Sequence, residues 1–68
     1  MMSDIEETQL RVRLARLELE HADLSRAVDA LIQVGGDILC IQRLKKKKLV
    51  LKDQITELRD RLMPDIIA

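Results

Sequence analysis

Glu18-Leu19-Glu20-His21 contains Glu-x-x-His, the spacing with which four-helix bundles hold a pair of iron or manganese ions. Two copies of the chain would supply the motif twice. Such a centre also needs an inward-facing carboxylate from each remaining helix. Level with His21 the chain offers only Asp53, at an outward helix position, and Gln54. No metal site is expected. Cys40 and His21 are the single thiol and the single imidazole. A thiolate–imidazolium nucleophile requires them within hydrogen-bond reach, and the helical pattern sets them several turns apart. Gly35-Gly36 reads as a turn rather than a phosphate loop. Neither a catalytic residue nor a cofactor is expected, and the chain does not read as an enzyme.

The remaining chemistry is charge. Residues 43–52 hold six bases and no acid, centred on Lys45-Lys46-Lys47-Lys48. Four consecutive helical residues spread over most of a helix circumference, so the run is not one patch. Lys45, Lys48 and Lys52 share a stripe, with Arg59 a heptad beyond Lys52. One reading is a strip that contacts phosphates or lipid headgroups. The other is a solvated face that complements Glu18, Glu20 and Asp23 on a neighbouring helix.

These side chains need elements to hold them, and composition narrows the choice. Sixty-eight residues are at most one small domain, at a size where one hydrophobic core is marginal. Twelve bases balance twelve acids, which argues against a globally basic nucleic-acid binder. Aromatic residues are absent, so the core is aliphatic and no ring can stack on a base. One cysteine cannot form an internal disulfide, and Cys40 reads as a small apolar residue near the turn. The acidic start lacks a basic region followed by an apolar run, and no apolar stretch approaches the ~20 residues that span a bilayer. A cytoplasmic location is expected.

Ser3 with Glu6, or Asp4 with Glu7, forms a capping box at the start of a first helix. From there Leu10, Leu14, Leu17, His21, Leu24, Val28 and Leu31 recur at alternating spacings of four and three, a heptad seam. A second seam runs through Ile41, Leu44, Lys48, Leu51, Ile55, Leu58 and Leu62. Pro64 stops it. Taking Leu14 and Ile41 as a positions, His21 and Lys48 are polar a residues, of the kind that set register and partner choice. The phase slips by one residue at Gly35-Gly36-Asp37, where glycine suits a helix C-terminus and aspartate caps the next helix.

The expected fold is therefore all-α: an antiparallel two-helix hairpin, coiled-coil-like, with helix 1 at about 4–34, a turn at 35–37, helix 2 at about 38–63 and a tail at 64–68. Facing layers have residue numbers that sum to about 72, which sets Leu31 against Ile41, Val28 against Leu44, Leu24 against Lys48, His21 against Leu51, Leu17 against Ile55, Leu14 against Leu58 and Leu10 against Leu62. Glu18 is expected to pair with Lys52, Ser25 to face Lys45, and Ile67 to fold back toward Ile5. Val12, Ala15, Leu19 and Ala22 form a second apolar stripe off the seam, and Leu49 and Val50 lie off the second seam. Apolar residues on two faces imply a further partner, so a four-helix dimer or higher oligomer is expected.

At His21-x-x-Leu24, and again at Leu44-Lys45-Lys46-Lys47-Lys48-Leu49-Val50-Leu51-Lys52-Asp53, the chain resembles the YdcH-like family, small bacterial helical proteins carrying a domain of unknown function. The stretch from about Leu17 to Leu58 carries the likeness. The matching positions are His21, Leu24, Lys45, Lys46, Lys48, Leu49, Leu51, Lys52 and Asp53. The resemblance implies a two-helix hairpin in the bacterial cytoplasm and no particular activity. The expected function is a self-associating, non-enzymatic protein–protein interaction module whose partner is a second copy or another protein, with no small-molecule substrate. The alternative is a binder of anionic surfaces, nucleic acid or lipid headgroups, through a strip of Lys45, Lys46, Lys48 and Lys52 with Asp53.

Overall fold

Ser3 begins the first helix. Its backbone is extended and its hydroxyl accepts from the Glu6 amide at 3.2 Å, satisfying one of the amides that a helix start leaves bare. The other candidate cap, Asp4, is already helical. Asp4, Glu6 and Glu7 place three acids at the positive end of the helix. Glu7 also pairs with Arg11 one turn on, at 3.0 Å. In the computed structural model, which describes residues 2–63, helix α1 spans Asp4–Gln33 and helix α2 spans Ile38–Leu62. The described residues contain no strand.

The turn between them follows from its two glycines. Val34 caps α1, and Gly35 takes φ +70°, the left-handed region that costs other L-residues ~1–2 kcal/mol. The Gly36 amide then donates to the Leu31 carbonyl at 2.8 Å and the Gly35 amide to that of Ile32 at 3.2 Å. This is the paired bonding of a Schellman motif, and it satisfies two carbonyls that a helix end otherwise strands. Gly36 is needed for space: a Cβ there would lie 3.1 Å from Leu31 Cδ2 and 3.2 Å from the Leu31 carbonyl oxygen. Asp37 starts α2, its carboxylate accepting from the Leu39 amide at 3.0 Å. At the far end Met63, the residue before Pro64, has left the helical region with φ −136° and ψ 67°. Arg59 and Arg61 lie in the last turn, at the negative end of α2.

The two helices pack against each other along the seam read from the spacing. Val28, Ile41, Ile55 and Leu58 are buried. Leu10, Leu14, Leu17, His21, Leu24 and Leu31 on α1 are half-buried, as are Leu44, Lys48, Leu51 and Leu62 on α2. Apart from Glu7, Ser25 and Gly36, every described residue that is not exposed belongs to this seam. One face of each helix is dry and the rest is wet. Cys40 is exposed, so it is a surface thiol rather than part of the apolar packing near the turn. Ile67, expected to approach Ile5, lies outside the described residues; Ile5 itself is exposed.

Candidate functional site

The lysine run is divided by the helix that carries it. At 100° per residue, Lys45, Lys48 and Lys52 fall at e, a and e positions of the seam, whereas Lys46 and Lys47 fall at f and g. The structure separates them accordingly. Lys45, Lys48 and Lys52 line one recess with His21 and Leu49. Lys46 and Lys47 lie with Arg43 and Val50 on the opposite flank of α2. Asp53, at an f position, is exposed and is not part of the recess.

His21 and Lys48 come together here. They interrupt the seam from opposite helices one layer apart, both are half-buried, and both open into the same recess. Neither belongs to the apolar core. Lys48 can lay its methylene stem along the seam and carry its ammonium to the recess, where water reaches it. Leu49 supplies an apolar wall. Among the described residues no carboxylate lines the recess.

The acids expected to balance these lysines do other things. Glu18 accepts from Arg59 across the seam, not from Lys52. The reason is the tilt of side chains toward the N-terminus of their own helix. In an antiparallel pair, Glu18 and Lys52 lean away from each other, while Glu18 and Arg59 lean toward each other. The same lean inclines Ser25 toward Lys52 and Ile32 toward Lys45, and neither α1 residue carries a charge. Glu20 and Asp23 occupy g and c positions, on the flank opposite the recess. All three ion pairs among the described residues use arginine and none uses lysine.

Glu18, the first residue of the Glu-x-x-His motif, is thus engaged by a guanidinium. Among the described residues no group of three or more His, Cys, Asp or Glu is placed to hold a metal ion. Cys40 is about one residue from the level of Ile32, so ~16 Å of helix rise separates it from His21. A second arrangement is apolar. Val12 and Leu19 are 52% and 64% exposed, and Ala15 and Ala22 between them are exposed too. They occupy f and b positions, on the side of α1 turned away from α2. No described helix is long and apolar enough to cross a membrane.

The residues missed from the sequence are Leu49, as a wall of the recess, and Arg59, as the partner of Glu18. The N-terminal lean of helical side chains was the available signal for the second. No curated protein and no solved structure matches the chain. Residues 14–59 match a family described as a protein of unknown function, DUF465. That stretch contains the recess, the Glu18–Arg59 pair and most of the seam. The chain belongs to this family, the YdcH-like small helical proteins.

Proposed function

We propose that the hairpin is a non-enzymatic interaction module that associates with a second copy of itself through the outer stripe of Val12, Ala15, Leu19 and Ala22. The observation that carries this reading is the imbalance of burial. Among the described residues only four side chains are buried, and none is completely enclosed. Eleven large apolar residues among those described are exposed, Val12, Leu19, Leu49 and Val50 included. Two helices sharing one seam leave too little core for a chain this short, and scattered exposure does not explain a stripe at heptad spacing.

Charge favours a second copy as the occupant. Helix α1 carries seven acids and four bases, and α2 carries three acids and eight bases. A two-fold arrangement that sets the outer stripe of each α1 beside α2 of the other copy brings opposite net charges together. Sedimentation equilibrium at micromolar concentration tests the reading. The chain is expected to run as a dimer or larger, and the double variant Val12→Glu with Leu19→Glu to run as a monomer. A stable, fully helical wild-type monomer overturns it.

A further inference from the structure

We propose that the recess bounded by His21, Lys45, Lys48, Lys52 and Leu49 binds a linear oligophosphate. The site is separate from the apolar stripe and does not depend on self-association. Three lysines and a histidine line it, and no described carboxylate does. Lys45, Lys48 and Lys52 succeed one another at spacings of three and four, so their like charges repel along one helix stripe. Among the described residues no ion pair relieves them. Glu18, the e-position acid nearest Lys52, is taken by Arg59, and Asp29, at a b position on the same flank, is exposed and does not line the recess. The hairpin therefore presents a cationic recess that it does not fill from within. One of its lysines, Lys48, is fixed in the seam and half-buried, which strengthens its field relative to a free surface lysine.

The spread of the charges selects the ligand. From Lys45 to Lys52 is ~10 Å of helix rise. One phosphate group can sit between two successive ammonium groups but cannot span three. A chain of phosphates can, each oxygen accepting charge-assisted bonds from a lysine. The chain contains no aromatic residue, so a nucleobase finds no stacking platform; charge and spacing do the recognition. Lys46 and Lys47 belong to the same run but face elsewhere, and they provide the internal control.

Titration calorimetry with sodium tripolyphosphate, on the full chain at ~50 mM salt, tests this. Saturable binding of one tripolyphosphate per chain is expected. Lys45→Ser with Lys52→Ser should weaken it by about tenfold or more, as removal of charge-assisted bonds does. Lys46→Ser with Lys47→Ser should change it by no more than about twofold, the scale of an exposed charge effect. Lys45 and Lys52 are exposed, and circular dichroism checks that both doubles remain helical. Should the Lys45/Lys52 double lose helicity, the single variant Lys52→Glu replaces it, with the same loss expected. The proposal is overturned by absent binding, by equal losses in the two doubles, or by binding of duplex DNA without binding of tripolyphosphate.

Discussion

Arg59 near the end of α2 donates to the carboxylate of Glu18 in the middle of α1, joining residues 41 positions apart. It is the only ion pair between the two helices among the described residues. Both side chains are about half exposed, so the pair contributes at most ~0.2–1 kcal/mol and specifies register more than it stabilises. A double-mutant cycle on Glu18→Gln and Arg59→Gln, read by urea unfolding, should show a coupling within that range that fades in high salt. The parallel cycle of Glu18→Gln with Lys52→Gln should show none. A coupling to Lys52 that exceeds the coupling to Arg59 would contradict the geometry.

The two glycines of the turn should fail for different reasons. Gly35 has φ +70° and open space where a Cβ would go. Gly35→Ala should therefore lose ~1–2 kcal/mol from the backbone alone, and Gly35→Asn should lose less, because asparagine tolerates this region. Gly36 has an ordinary φ, but a Cβ would press on Leu31. Gly36→Ala should be rescued in part by trimming Leu31 to Val, which removes the nearest obstructing atom, Cδ2, and leaves the carbonyl oxygen and Cβ in place. Gly35→Ala should not be. Thermal unfolding of the three single glycine variants and of the two alanine variants combined with Leu31→Val separates the cases, and rescue of both alanine variants by Leu31→Val would refute the distinction.

Valine at two positions distinguishes the hairpin seam from the outer stripe. Val28 is 2% exposed, and removing its two methyl groups should destabilise the folded chain by ~1–3 kcal/mol at any concentration. Val12 is exposed within one hairpin. Val12→Ala should leave a single hairpin nearly unchanged and should lower the melting temperature only where chains associate. Its effect should therefore depend on protein concentration, since association stabilises by mass action. A Val12→Ala effect of the same size across a hundredfold dilution would place Val12 in the monomer core instead.

The seam could be read from spacing because burial in a two-helix contact has only one geometric degree of freedom, the heptad phase. Leu10 through Leu31 and Ile41 through Leu62 keep that phase, and the slip at Gly35-Gly36 marks the reversal. Side-chain choice at the flanks has more freedom. Glu18 had two possible e-position partners a heptad apart, and the decision depends on the direction in which side chains lean, which is a property of the backbone and not of spacing. Cys40 lies near the turn and beside the buried Ile41, yet one residue of rotation, 100°, carries it out of the seam. The recess was the hardest to foresee. Helical spacing already parts Lys45 and Lys48 from Lys46 and Lys47, but packing against α1 is what sets the first pair beside His21 to form a recess.

His21 and Lys48 interrupt an otherwise aliphatic seam, and polar groups at a positions fix register at a cost in stability. Replacing both with Leu should raise the melting temperature, because apolar side chains that fill the space of half-buried charged groups are often stabilising by ~1–4 kcal/mol. The change should carry two further signatures. Without the polar layers the seam is nearly continuous leucine and isoleucine, so hairpins can slide by a heptad or mix oligomeric states, and sedimentation velocity should broaden. The recess should also lose its half-buried lysine and its imidazole, so tripolyphosphate, expected to raise the melting temperature of the wild type, should not raise that of the variant. A metal role for His21 makes the contrary prediction: His21→Leu alone would remove a bound ion, detectable by elemental analysis of the purified protein, and would lower stability. If the double variant melts lower than the wild type with no metal present, His21 and Lys48 stabilise the seam through polar contacts, and their reading as register devices is wrong.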